Sequence, residues 1–317
     1  MRYHLRGLIA ATFTPMHTDG TLNLGQIEPM VEHLLGSGVA GLYVCGTTGE
    51  GPSLSTDERE AVAEAHVAAA RGRIPVVVQV GHTSLPEACR LAAHAQAVGA
   101  DAVSAIAPWY FKPASVDVLV DCLNPIAAAA PDLPFYYYHL PALTGMDFDM
   151  LHLLRVAPEH LPTLAGIKYS APKLDEFQAC TEFAGGRFDI LFGCDEMLLS
   201  GLSAGARGAV GSTYNYLAPL YRRVIDAFDR GDLNEARRHQ GLAVTLVQAI
   251  VRRRGHAGLK AAMQLAGVDC GPTRLPLVAL EAGEIEDLRG ELDALGFFEA
   301  CNGAYAVCCG AGTEESR

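Results

Sequence analysis

The chain lacks any apolar run approaching the ~20 residues of a membrane-spanning helix, which sets the helical membrane classes aside. It has no basic stripe. Its densest cationic stretch is Arg252 to Arg254, against 24 basic and 36 acidic residues and a formal net charge of −12. Such a surface repels phosphate backbones, so nucleic acid is not an expected partner. Small anions stay possible, because the field inside one site can oppose the net charge. The nine cysteines are odd in number, sparse, and contain no Cys-x-x-Cys pair. That excludes a disulfide scaffold and favours reduced thiols in a cytoplasmic setting. Adjacent Cys308 and Cys309 are too weak a signal for lipidation. The eleven histidines are dispersed, with no His-x-x-x-His or His-Glu-x-x-His spacing, so no metal site is expected. No Gly-x-Ser-x-Gly elbow marks a serine hydrolase. The N-terminal MRYHLRGLIAATFTP lacks the long apolar core and small-residue cleavage site of a signal peptide; it fits a first strand better.

What is present is alternation. Eight short apolar runs have the length of buried strands and end in Gly, Pro, Ser, Thr or Asp: 7–15, 41–46, 74–81, 101–108, 133–141, 164–170, 189–195 and 206–213. Helical patterns lie between them. The clearest is 55–72, with Ser55 or Thr56 as its cap, acidic residues in its first turn and Gly72 at its end. This order predicts a (β/α)8 TIM barrel over residues 1–215. Segments 217–230, 233–253, 256–266 and 284–295 read as helices with no further strands. They predict a C-terminal helical extension over 216–298, followed by a small, polar, disordered tail over 299–317.

Two glycine motifs resemble nucleotide sites and fail as such. GSGVAG (36–41) has the Gly-x-Gly-x-x-Gly spacing, but it follows a helix and opens a strand, the reverse of a dinucleotide fingerprint. GTTGEGPS (46–53) follows a strand, yet Pro52 stands where a phosphate loop places lysine. Its two threonine hydroxyls and converging backbone N–H groups still suit one small anion, and a carboxylate fits better than a triphosphate. An ordinary Ser/Thr-rich turn is the alternative.

In a barrel of this kind the reactive groups come from the C-terminal ends of the strands. Lys168 stands inside the strand pattern LAGIKYS. Desolvation disfavours an ammonium charge, and a neutral amine is the nucleophile that condenses with a ketone. The other reading is a lysine just beyond the strand, reaching solvent. Alternation puts Tyr136 and Tyr138 of FYYYH on one face, where a hydroxyl could move protons beside that lysine or the rings could simply pack.

The blocks GLYVCGTTGEGPSLS, FYYYHLPALTG, GIKYS, LFGCDEMLLSGLSAGARGAVGSTYNYL and GLKAAMQLAG occur in this order from about residue 5 to about 295. They resemble the N-acetylneuraminate lyase and dihydrodipicolinate synthase family of Schiff-base aldolases, and within it the animal sialic acid lyases. The resemblance implies roles. Lys168 matches the Schiff-base lysine and Tyr138 the proton-shuttling tyrosine. Thr47 and Thr48 match the hydroxyl pair that binds an α-keto acid carboxylate. Ser170 matches a small hydroxyl residue beside the substrate. Gly193, Asp195, Glu196, Gly211 and Ser212 match positions that grip the polyhydroxyl tail of a sugar. Tyr110 matches an aromatic that reaches into the neighbouring subunit's site. Synthases acting on a dicarboxylic partner place Arg after the Tyr-x-x-Pro stretch; here Ala142 and Leu143 follow it, and the acidic pair Asp195–Glu196 suits hydroxyl-rich sugars. His139 stands where bacterial lyases have Asn, and Cys194 where some relatives have an aromatic. The implied reaction converts sialic acid to N-acetylmannosamine and pyruvate without a cofactor, in a cytoplasmic homotetramer. A related pyruvate aldolase acting on another 2-keto-3-deoxy sugar acid, or a barrel that binds sugar acids without turnover, are the other readings.

Overall fold

The computed structural model describes residues 3–302. Eight parallel strands close into a barrel in sequence order: β1 (Gly7–Ala11), β2 (Gly41–Val44), β3 (Val76–Gln79), β4 (Ala102–Ile106), β5 (Phe135–His139), β6 (Leu164–Tyr169), β7 (Asp189–Phe192) and β8 (Gly208–Gly211). All eight lie inside the runs expected from sequence. The helices are α1 (Ile27–Ser37), α2 (Thr56–Ala70), α3 (Leu85–Ala97), α4 (Val116–Ala128), α5 (Pro141–Thr144), α6 (Met150–Val156), α7 (Leu174–Gly186, broken at Phe183 to Gly185), α8 (Leu198–Ser203), α9 (Tyr214–Asp229), α10 (Leu233–Val251), α11 (His256–Leu265), α12 (Ala282–Ala294) and α13 (Phe297–Cys301). Ser55 caps α2 in a reciprocal box: its hydroxyl accepts from the Glu58 N–H, and the Glu58 carboxylate accepts from the Ser55 N–H. In the GSGVAG decoy, Gly38 ends α1 at φ 78°, a conformation that glycine adopts freely, and Gly41 opens β2.

Alternation along the strands makes two cores. Ile9, Tyr43, Val77, Ile106, Tyr136, Tyr138, Leu191 and Val210 fill the barrel interior. Phe135, Tyr137, Ile167 and Tyr169 face the surrounding helices with the larger apolar layer. Each fully buried aliphatic side chain there contributes ~1.5–3 kcal/mol relative to exposure. Tyr136 closes the lower end: its hydroxyl donates to Asp189 Oδ2 at 2.7 Å, which also accepts from the Leu5 N–H at 2.8 Å.

The division at residue 215 falls at the first turn of α9. That helix packs against β1 and α1 and so completes the ring begun by α1. Sequence placed it in the extension, because a helical period does not say which layer a helix joins. The helices beyond it, α10 to α12, form the extension proper. α13 buries Phe297 and Ala300 and packs on α9 and α12, so the stretch assigned to a tail begins inside a helix. Residues 303–317, with Cys308 and Cys309, lie outside the described residues. No helix among the described residues is long and apolar enough to cross a membrane, and none of their His, Cys, Asp and Glu side chains cluster in threes as a metal site would require.

Candidate active site

The strand register sets the site. Tyr138 of β5 lies opposite Lys168 of β6, so both side chains enter the barrel from adjacent strands on the same level. Lys168 is only 4% exposed. Its Nζ lies 4.0 Å from the centroid of the Tyr138 ring and 3.9 Å from that of Tyr43. Above them is the 46–51 loop. Thr47 Oγ1 stands 3.3 Å from the Tyr138 hydroxyl, and Thr48 Oγ1 stands 2.6 Å from Ser212 Oγ. The loop therefore spans from the Lys168–Tyr138 pair to the end of β8. Cys45 and Glu50, at its two ends, both hold the left-handed conformation, at φ 58° and 55°. Non-glycine residues in that region store strain and tend to gather at functional sites.

A second group lies across the mouth. Asp195 follows β7 in a short turn and is buried. Its Oδ2 accepts from the Thr213 N–H at 2.8 Å and the Thr213 hydroxyl at 2.6 Å. Burial, and then the neighbouring Glu196 charge, push its carboxyl up to about 6, against opposition from the Thr213 hydrogen bonds and Lys168. Close approach explains two glycines here. A Cβ on Gly211 would meet Asp195 Oδ1 at 2.2 Å, and one on Gly193 would meet Ser170 Oγ at 2.0 Å.

Nine of the eleven sequence-derived residues thus form connected groups: Lys168 with Tyr138 and Thr47, Thr48 with Ser212, Asp195 with Gly211, and Ser170 with Gly193. Two stand apart. The exposed Glu196 has its backbone carbonyl held by Gln240 at 3.1 Å and lines a cavity of about 750 Å³ against α10 and α12. Tyr110 is 77% exposed and packs on Phe111. His139 turns the other way from Tyr138, into the helical layer, where burial pulls its imidazole down to about 4. Cys194 is a poor nucleophile, with its thiol pushed up to about 12 by burial and the adjacent acidic pair.

Sequence reasoning missed the supports. Glu50 Oε1 accepts from Lys260 Nζ of α11 at 2.9 Å, and both side chains are sealed from solvent. Glu50 Oε2 accepts from the Arg274 N–H at 2.8 Å. The Arg274 guanidinium grips both oxygens of Glu58 at 2.8 Å and the Ser53 carbonyl at 3.1 Å. The Thr-rich loop is therefore tied to the C-terminal extension by a buried ion pair. The Glu of GTTGE and the Lys of GLKAAM were both in quoted blocks, but a charge alone does not name its partner more than 200 residues away.

A sequence profile of the dihydrodipicolinate synthetase family matches residues 4–295. The chain belongs to that family. Among curated family members it is 45% identical over 278 residues to N-acetylneuraminate lyase A of Xenopus laevis, covering 86% of this chain and 90% of that protein. It is 42% identical over 312 residues to the N-acetylneuraminate lyase of Sus scrofa, covering 96% and 98%. Among solved structures of the family it superposes on Proteus mirabilis N-acetylneuraminate lyase with a TM-score of 0.91 at 41% identity, covering 93% of this chain and all of that one.

Proposed function

We propose that the protein is a Schiff-base aldolase that cleaves N-acetylneuraminate to N-acetylmannosamine and pyruvate. The observation that carries this reading is the placement of Lys168: a buried amine without an ion pair among the described residues, inside the barrel mouth, beside Tyr138 and beneath the Thr47–Thr48 loop. Relatives named for this activity over nearly the whole chain support it.

In this reading the open-chain sugar binds with its carboxylate on the hydroxyls and backbone N–H groups of Thr47 and Thr48. Asp195, Glu196 and Ser212 accept hydrogen bonds from the polyhydroxyl tail, with Ser170 beside the chain. Lys168 Nζ adds to the C2 ketone, and the carbinolamine hydroxyl leaves as water with the Tyr138 phenol proton, giving a cationic iminium and a Tyr138 phenolate. The C4 hydroxyl gives its proton to that phenolate, which Thr47 Oγ1 at 3.3 Å helps to hold in place, and the restored phenol is the source of the proton that later reaches C3. The C3–C4 bonding pair moves onto the iminium, leaving an enamine and the aldehyde of N-acetylmannosamine. A proton returns to C3, and water hydrolyses the pyruvate iminium and frees the lysine. Protons and electrons balance without an external acceptor. Fixing both ends of an extended substrate over the amine supplies the rate enhancement available from positioning.

The same reading has Tyr110 serve a neighbouring copy of the chain in a homotetramer, and has the enzyme work in the cytoplasm. The exposure of Tyr110 and Phe111 and the free state of all seven described cysteines support these points. Light scattering would give the assembly. The deciding experiment is a coupled pyruvate assay on N-acetylneuraminate together with borohydride trapping of pyruvate. Release of pyruvate and a single adduct at Lys168, both lost in Lys168→Ala, are expected. Trapping at another lysine would refute the assignment.

A further inference from the structure

We propose that Tyr43, outside the catalytic set expected from sequence, is the electrostatic partner of the Lys168 nitrogen, its ring face stabilising the cation that forms there during Schiff-base chemistry. The inference rests on the aldolase reading above and deepens it.

The Tyr43 and Tyr138 rings have centroids 5.7 Å apart and planes inclined at 77°. Lys168 Nζ lies in the corner between them, 3.9 and 4.0 Å from the two centroids. The corner covers two sides of the nitrogen and leaves the rest for an incoming keto carbon. This environment suits an amine that must be a nucleophile first and a cation later. A carboxylate at hydrogen-bond distance would tie up the N–H groups and hold the ammonium form, as Glu50 does for Lys260 at 2.9 Å. A ring face attracts a positive nitrogen through its quadrupole, yet it takes no proton. The attraction is strongest where water is excluded, and Tyr43 is itself 1% exposed.

The hydroxyl of Tyr43 has a separate use. It donates to Ser104 Oγ on β4 at 3.0 Å, at the far side from the lysine chemistry. Burial and the nearby Tyr138 hold its ionisation well above the ordinary phenol range, so it remains a neutral phenol. The hydroxyl anchors the ring, and the ring acts on Lys168. Simple filling of the barrel core would give Tyr43 the same burial, so the test must vary the charge on the ring face without varying its shape.

Tyr43 is replaced by phenylalanine (Tyr43→Phe) and then by 4-fluoro- and 3,4,5-trifluorophenylalanine, near-isosteric rings with progressively weaker faces. Borohydride trapping of pyruvate at Lys168 and kcat and KM on N-acetylneuraminate are measured for each, with thermal melting as a control. Tyr43→Phe should keep kcat within a few-fold. The fluorinated series should then lose trapping rate and kcat stepwise, by about tenfold overall, with KM for N-acetylneuraminate changed by less than about twofold. Tyr43→Leu, which removes the face altogether, should lose roughly thirtyfold. A series with flat kcat, or one whose losses follow melting temperature instead of fluorine count, overturns the proposal. If the unsubstituted protein forms no pyruvate adduct at Lys168, the aldolase reading itself fails, and this inference with it.

Discussion

Replacing Asp195 with asparagine should stabilise the protein at neutral pH while weakening its hold on the sugar. The Asp195 carboxyl is buried and pushed from 3.8 to about 6, chiefly by burial and then by Glu196. Between those two values the folded state binds more protons than the unfolded one. Stability therefore rises as pH falls through about 6, and is lost again as pH rises through it. A shift of about two units corresponds to ~3 kcal/mol of strain carried by the ionised group at pH 7. The asparagine oxygen can accept both Thr213 donors that Oδ2 accepts now. Its amide N–H groups would face the Cα of Gly211 and recover part of that gain as a cost of ~1–3 kcal/mol. A net stabilisation of up to ~2 kcal/mol is expected at pH 7.5 in urea unfolding. The gap to the unsubstituted protein should close as pH drops from 6 towards 4. KM for N-acetylneuraminate should rise at least about tenfold, since a charged acceptor of sugar hydroxyls is lost, while the pyruvate adduct still forms at Lys168. A variant less stable at pH 7.5, or a gap indifferent to pH, would refute the reasoning.

Other changes test other parts of the site. Lys260→Met leaves the Glu50 carboxylate sealed from solvent without its cation and should cost ~3–5 kcal/mol in denaturant unfolding; the Glu50→Gln, Lys260→Met pair should recover most of that loss. Thr48→Ala removes the hydroxyl 2.6 Å from Ser212 Oγ; pyruvate KM should rise by roughly tenfold or more, the worth of one hydrogen bond to a charged group, with melting temperature little changed. Gly211→Ala places a methyl 2.2 Å from Asp195 Oδ1, so Asp195 must swing away from Thr213; sugar KM should rise and the Asp195 contribution to the stability profile near pH 6 should shrink.

The strands were legible because a parallel barrel buries both faces of each one, and its sequence signature is a short apolar run closed by a turn residue. All eight such runs contain a strand. Alternation put Tyr136 and Tyr138 on one face, but which face lined the barrel, and whether Lys168 entered it or reached solvent, was decided only by the closed sheet. Layer membership was not legible. α9 and α10 share a helical period, yet α9 packs on β1 and α10 packs mainly on α9. The threonine pair was visible in its loop, whereas what holds the loop was not. Glu50 meets Lys260 and Arg274 only after the chain has turned through the whole barrel. Tyr43 was hidden for a different reason: inside the strand run GLYVCG its aromatic character reads as core, and only distance to Lys168 distinguishes it.

The two buried lysines make the same point in chemical terms. Of the chain's four lysines, Lys168 and Lys260 alone are buried; Lys173 pairs with Asp147 at the surface, and Lys112 is exposed. A composition argument cannot separate 168 from 260. Their surroundings do. Lys260 donates to Glu50 and to the Pro272 carbonyl, so its N–H groups are engaged and its charge is paired; it works as a rivet between the extension and the loop. Lys168 has aromatic faces on two sides and no ion pair among the described residues. No carboxylate among them ties its nitrogen down, which leaves it open to an incoming carbonyl carbon. On the proposed aldolase reading the extension is part of the catalytic apparatus: through Lys260 it holds the Thr47–Thr48 turn in register with an amine that its own lysine could not replace.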